Sequence, residues 1–218
     1  MKKGLFITFE GPEAAGKTTQ IRLLEERLKE EGHKVQLSRE PGGTKLAEKL
    51  REIVKYSEEK LSDEVEYMIF ATARAHHVSE LIIPTTNKGT HLLCDRYEDS
   101  SKAYQGYGRG LSLDKLKYVH QFASKGFMPD LTFLIDLTVE ESFKRIDERT
   151  MFLSLHRDTE KKDRIESEKI EFHKRMRNGF LDIAKNDPHR VKVIDGLKSI
   201  EEIHKEVLGY TLDKLKNY

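Results

Sequence analysis

One cysteine in 218 residues excludes an internal disulfide framework. Cys94 stands in the apolar run Leu92-Leu93-Cys94, which points to a buried thiol rather than a reactive one. A surplus of either charge is also missing. Thirty-nine Lys and Arg face 38 Asp and Glu, for a formal net charge of +1. No global field recruits nucleic acid or a membrane, so any anion site must be built locally. Long apolar runs are absent too. Leu5-Phe-Ile-Thr-Phe9 follows Lys2 and Lys3 but stops at Glu10, too short for a signal peptide, and no run reaches the length of a membrane span. The chain holds no repeat, low-complexity tract or domain linker. A single cytoplasmic domain over 1–218 is expected, with 37% hydrophobic residues to build its core.

What is present starts with Gly11-Pro-Glu-Ala-Ala-Gly16-Lys17-Thr18, which fits G-x-x-x-x-G-K-[ST], the phosphate-cradling P-loop. An apolar run leads in, and Ile21, Leu23, Leu24 and Leu28 mark a helix leading out. Gly11 and Gly16 let the backbone turn so that several N–H groups face one anion. Lys17 supplies a mobile cation for the β- and γ-phosphates of ATP, Thr18 a hydroxyl for Mg²⁺, and the helix its N-terminal dipole. The expected ATP-binding set is Gly11, Pro12, Glu13, Ala14, Ala15, Gly16, Lys17, Thr18 and Thr19.

Strands and helices alternate, the pattern of a five-stranded parallel sheet covered by helices on both faces. The strands read at Leu5–Phe9, Val35–Ser38, His91–Cys94, Leu131–Ile135 and Val191–Ile194. The first helix should end near Gly32, and Leu46, Leu50, Ile53 and Val54 mark the next. Asp63 with Glu66, Thr138 with Glu141 and Ser199 with Glu202 read as capping boxes. The helix from Asp63 is expected to run to about Ile83 and be interrupted by Pro84. A glycine-punctuated segment, Tyr104-Gln-Gly-Tyr-Gly-Arg-Gly110, follows the third strand. Asp114–Lys125 is helical, Arg164–Lys185 has helical spacing, and about 148–163 is the stretch expected to be mobile. Asp95-Arg96-Tyr97 sits at the carboxyl end of the third strand, the edge where open α/β sheets bind ligands.

With that segment the chain resembles the thymidylate kinase family of P-loop nucleoside monophosphate kinases. The resemblance rests on Phe9-Glu-Gly11 and the P-loop with Thr18-Thr19-Gln20, Arg39-Glu-Pro-Gly-Gly-Thr44, Phe70-Ala-Thr-Ala-Arg74, and Asp95-Arg-Tyr with Ser100-Ser-Lys-Ala-Tyr104-Gln-Gly106. Pro129-Asp130-Leu-Thr and Asp163-Arg-Ile-Glu166 complete it. It implies a P-loop kinase that moves a phosphoryl group from ATP to dTMP with Mg²⁺, works as a homodimer, and has no nucleic-acid or membrane partner. Arg39 and Arg96 would hold the acceptor phosphate. Phe70 would stack on the thymine and Arg74 would bond a carbonyl of it. On helical spacing alone Phe70 reads as core, and only the resemblance reverses this. Ser101 would face the base, Tyr104 the sugar's 2′ position, and Gln105 lies near both. Glu13 would lie near metal and sugar, and Thr18, Asp95 and Glu13 form the metal set. Lys17 and Arg96 would act on the transferring group. The acceptor is already ionised at neutral pH, so no strong general base is needed.

Two departures stand out. Ala14 occupies a place where glycine is expected, and is strained there if the loop needs positive φ. Pro12, Glu13, Ala14 and Ala15 include no arginine, so the resemblance moves the transition-state cation to the lid, to Arg157 or Arg164 with Arg149 next. That lid is long and carries the apolar Met151-Phe-Leu-Ser-Leu155, which would pack on the nucleotide, on a partner subunit, or on the core as an extra helical turn. Two other functions compete: a P-loop kinase for dUMP or a deoxynucleoside, and a nucleotide-gated interaction module.

Overall fold

Five short runs rich in Leu, Ile, Val and Phe pair side by side, all in the same direction. The computed structural model describes residues 3–57, 59–155 and 168–217. Strands β1 (Phe6–Glu10), β2 (Val35–Arg39), β3 (His91–Asp95), β4 (Leu131–Asp136) and β5 (Val191–Asp195) lie in the order β2-β3-β1-β4-β5. Each neighbouring pair is parallel. Parallel neighbours need crossover helices, and these cover both faces. Every residue of the central β1 is buried, whereas the edge strand β2 is half exposed. The register pairs Phe9 with both Asp95 and Phe133, so β1 and β3 end within one residue of each other while β4 runs two residues past the end of β1. The crevice beside β1 opens at that edge.

Alternation along β1 divides the core. Leu5, Ile7 and Phe9 meet Phe133 and Ile135 of β4, Ile21, Leu24 and Leu28 of α1 (Lys17–Glu30), and Ile203 and Val207 of α9 (Ile200–Lys216). Phe6 points the other way, to Leu92, Cys94, Val78 and Ile82. Each such side chain contributes about 1.5–3 kcal/mol when fully buried.

The remaining helices are α2 (Lys45–Tyr56), α3 (Asp63–His77), α4 (Ile83–Asn87), α5 (Glu98–Ser101), α6 (Leu113–Ser124), α7 (Val139–Leu155) and α8 (Ile170–Asn186). Several expectations need correcting. Asp63 does not open a capping box: Ser62 is the N-cap, accepting from the Val65 N–H at 3.3 Å. Pro84 does not end its helix. A π-helical stretch, Val78–Ile82, precedes it, with the Ile83 N–H bonded back to the Val78 carbonyl. The widened turn makes room for the proline ring, and α4 continues to Asn87. The glycine-punctuated segment is helical as well, as the π stretch Lys102–Gly108 that prolongs α5. Thr138 accepts from the Glu141 N–H, but the Glu141 carboxylate turns to Arg145, so that box is half made. The box of Ser199 and Glu202 is complete.

The expected mobile stretch begins as helix, since α7 continues to Leu155. Met151 and Phe152 lie on its exposed surface, 67% and 61% accessible, and do not fill the core. Residues 156–163 of that stretch lie outside the described residues, as do residues 164–167 of the helix expected from Arg164.

Candidate active site

The loop between β1 and α1 turns through positive φ at Gly11 (130°), Ala14 (56°) and Gly16 (93°). A Cβ on Gly11 would stand 2.2 Å from the Ile135 carbonyl oxygen, so glycine is required by the close pass of β4. Ala14 does adopt positive φ, the strained condition anticipated for it. The loop ends on the N-terminus of α1, where free N–H groups and the helix dipole favour an anion. Lys17 is buried, and its Nζ donates to the Gly11 and Pro12 carbonyls at 3.1 and 2.6 Å. Burial, then Arg96, pulls its pKa down to about 8, against the opposing pull of Asp95, Glu13 and Glu10. Thr18 Oγ1 donates to Asp95 Oδ2 at 3.0 Å, joining loop and β3 through a hydroxyl–carboxylate pair.

Beside this loop is a cavity of about 320 Å³. Its lining carries the cations Arg39, Arg51, Lys55, Arg74 and Arg96 against the acids Glu13, Glu40 and Asp95, so an anionic ligand is favoured. Arg96, at positive φ (71°), spans both regions. It donates to the Gly11 carbonyl (3.0 Å), Ser100 Oγ (3.2 Å) and Glu13 Oε1 (2.9 Å), and stacks over Tyr104 with its guanidinium carbon 5.1 Å from the ring centre. Burial pushes the Glu13 carboxyl up, but Arg96 and Lys17 prevail and lower its pKa. Glu13 Oε2 is buried with no hydrogen-bond partner among the described residues.

Phe70 and Arg74 project from one face of α3 into the cavity. Arg74 is 3% exposed, its Nε bonded to Glu40 Oε2 (2.7 Å) and its Nη2 to the Tyr97 carbonyl (3.2 Å) and Ser101 Oγ (2.9 Å). Its Nη1 is buried with no hydrogen-bond partner among the described residues. Ser101, Tyr104 and Gln105 line the same wall, with Gln105 held by Glu66 at 2.9 Å. An aromatic face and a donor-only guanidinium together can hold a ring bearing a carbonyl.

The family model described as Thymidylate kinase matches residues 9–207. The chain belongs to the thymidylate kinase family. The thymidylate kinase of Caldanaerobacter subterraneus is 44% identical over 98% of both chains. That of Sulfurihydrogenibium is 47% identical over 94% of this chain and 95% of its own. The crystal structure of thymidylate kinase from Ehrlichia chaffeensis superposes with a TM-score of 0.75 at 33% identity, covering 96% of this chain and 99% of that one.

For a thymidylate kinase family member the geometry gathers most of the anticipated residues. Glu13, Thr18, Arg39, Phe70, Arg74, Asp95, Arg96, Ser101, Tyr104 and Gln105 all line one cavity. Phe70 is half-buried in this wall, not in the core. Arg39 is 55% exposed and paired with Glu48 at 2.9 Å. Thr19 faces solvent from α1, and Arg149 lies exposed on α7. Arg157, Arg164 and Glu166 lie outside the described residues.

Other residues at the site escaped sequence reasoning. Arg51 and Lys55 reach the cavity from one face of α2, where spacing could not tell them from a solvated helix face. Glu10, at the end of β1, accepts from the Tyr97 N–H (2.8 Å) and Ser100 Oγ (2.5 Å). Burial, reinforced by Asp99, raises its pKa to about 7. The only signal in the sequence was a carboxylate ending an apolar strand.

Proposed function

We propose that the protein transfers the γ-phosphoryl group of ATP to the phosphate of dTMP. A dTMP phosphate oxygen bonds to the γ-phosphorus as the bond to the β–γ bridging oxygen breaks, leaving dTDP and ADP. One observation carries this reading: Phe70 and the buried Arg74 together line a cationic cavity that adjoins the P-loop. In that cavity Phe70 stacks on the thymine and Arg74 bonds its carbonyl, which disfavours the amino group of cytosine. Ser101 and Gln105 border the base and Tyr104 the 2′ position. Arg39 and Arg96 hold the acceptor phosphate.

On the donor side, residues 11–19 cradle the triphosphate and Lys17 leaves its two carbonyls for the β- and γ-oxygens. Catalysis is then positional and electrostatic: cations offset the repulsion between two anions held in line. Mg²⁺ fits this oxygen-rich donor set. Thr18 and Asp95 are already within bonding reach of one another, and Glu13 Oε2 is unsatisfied. Bound there, the ion would neutralise phosphate charge.

We assign the remaining transition-state cation to Arg157 or Arg164, with Arg149 next, on a lid over about 148–163 of a single cytoplasmic domain. Lid closure excludes water, which would otherwise accept the phosphoryl group. A homodimer is supported by apolar side chains left in solvent on α2, α3 and α6: Ile53, Tyr56, Met68, Tyr118 and Phe122, the last 86% exposed.

An acceptor panel tests the proposal. ADP release with MgATP should be fastest with dTMP, slower with dUMP, and near background with dCMP and AMP. Equal or greater rates with dCMP would sink the base assignment. ATP binding without acceptor-dependent ADP release would sink the transfer itself.

A further inference from the structure

Four side chains, Ser38, His77, Glu40 and Arg74, form an unbroken chain that starts behind the cavity and ends in its wall at Glu40 and Arg74. His77, at the last position of α3, is 0% exposed. Its Nδ1 meets Glu40 Oε1 at 2.8 Å and its Nε2 meets Ser38 Oγ at 2.7 Å. Glu40, 5% exposed, turns its other oxygen to Arg74 Nε at 2.7 Å. The loop after β2 is folded onto this histidine. A Cβ on Gly43 would stand 2.6 Å from His77 Nε2 and 2.4 Å from Ser38 Oγ. His76 holds the far end of the loop, with Nδ1 2.9 Å from Thr44 Oγ1.

We infer that His77 is a positioning residue for thymine recognition, acting through Glu40 on Arg74. A carboxylate held by one oxygen pivots about that bond; held by both, its plane is fixed. His77 and Arg74 take one oxygen each. The fixed carboxylate in turn sets the guanidinium plane at Nε, while the Tyr97 carbonyl and Ser101 Oγ set it at Nη2. Nη1 is left as the guanidinium's one nitrogen with no hydrogen-bond partner among the described residues, on a side chain that lines the cavity. The polarity of the chain is consistent: Nδ1–H donates to the carboxylate, and Nε2 pairs with the serine hydroxyl, which can donate or accept. Burial pushes the Glu40 carboxyl up, but Arg74 and His77 beside it hold it below the ordinary range, so it stays ionised. Loosening the Glu40 anchor frees Nη1 to swing, and the bond to the base carbonyl weakens while the donor side is untouched.

The inference rests on the placement of thymine against Arg74, and the test separates the two. An asparagine amide nitrogen stands near the place of Nδ1, and a glutamine amide reaches the place of Nε2. His77→Asn therefore keeps the Glu40 contact, and His77→Gln keeps only the Ser38 contact. Steady-state kinetics with dTMP and dCMP, direct ATP and dTMP titrations, and thermal unfolding are run on both variants, on Ser38→Ala and on Arg74→Lys. For His77→Gln we expect KM for dTMP to rise about tenfold, with kcat within about twofold, ATP affinity unchanged, and dTMP-over-dCMP selectivity reduced about tenfold. His77→Asn should stay within about twofold of the parent.

Ser38→Ala leaves the Glu40 bond in place and should shift KM slightly in the same direction, which keeps the inference testable if a His77 variant does not fold. In the Arg74→Lys background, His77→Gln should have no further effect on selectivity. Equal losses for Asn and Gln, in dTMP and ATP affinity alike and tracking Tm, would reduce His77 to a structural role and overturn the inference. Unchanged dTMP KM and selectivity in both would do the same. If Arg74→Lys itself leaves selectivity intact, the placement of the base is wrong, whatever His77 does.

Discussion

Filling the P-loop should draw protons from solution. Lys17 has its pKa lowered to about 8 by burial and by Arg96, and it rests on two carbonyl oxygens that cannot ionise. An anion at the loop reverses the balance and returns the ammonium toward its ordinary 10.5. The sign follows directly: a lowered pKa in the free protein means that the bound state holds more protons. At pH 7 the free lysine is about nine-tenths protonated, so uptake is about a tenth of a proton; at pH 8 it is about half, and at pH 9 about nine-tenths. The nucleotide adds nothing at pH 8 and above, because its terminal phosphate ionises near pH 6 to 7, to order of magnitude. Calorimetric titration of ADP or ATP in two buffers of different ionisation enthalpy measures the uptake. Lys17→Arg should abolish it, since a guanidinium stays charged throughout. Uptake that is level from pH 7 to 9, or retained in Lys17→Arg, would refute the argument.

Ala14 holds φ of 56°, so Ala14→Gly should stabilise the protein by about 1 kcal/mol, read as a higher urea midpoint at unchanged slope. Glu10 carries the opposite kind of load from Lys17. Its pKa rises from 4.5 unfolded to about 7 folded, so its contribution to stability falls as pH climbs through that window. Glu10→Gln removes the titration, and its Tm relative to the parent should therefore be higher at pH 8 than at pH 5. On the surface, Phe122→Glu tests the proposed homodimer: light scattering should report a dimer for the parent and a monomer for the variant, and a dimeric variant would place the interface elsewhere; a side chain 86% exposed contributes little to the fold of the protomer itself.

How much was legible beforehand depended on whether a residue's neighbours lay near it in the chain. The five strands could be read because strands buried on both faces appear as apolar runs. The P-loop could be read because its chemistry is contiguous. Ser62 was missed as a cap because Asp63 and Glu66 mimic a capping box one residue on. Tyr104–Gly110 did not read as helix because glycines signal turns. Gly106 and Gly108 serve close packing instead, a Cβ on Gly108 lying 2.6 Å from the Phe172 ring of α8, and only Gly110, at φ 86°, makes a turn. At the site, Phe70 was visible only through family resemblance, since helical spacing assigned it to the core. Arg51, Lys55 and the partnership of His77 with Glu40 were invisible, because they depend on α2, α3 and the loop after β2 being brought together in space.

Arg96 is held by the protein's own groups. The guanidinium that an incoming phosphate would seek is already occupied by the Glu13 carboxylate at 2.9 Å and the Gly11 carbonyl at 3.0 Å. An anion gains a hold there only by outcompeting a tethered rival whose effective concentration never falls. Stray monoanions meet a largely neutralised surface. Displacing Glu13 would fall to a dianionic monoester that also contacts the rest of the cavity wall. Since Glu13 is a member of the donor loop, that displacement is felt where the triphosphate sits. Two sites sharing one arginine in this way would not load independently of each other.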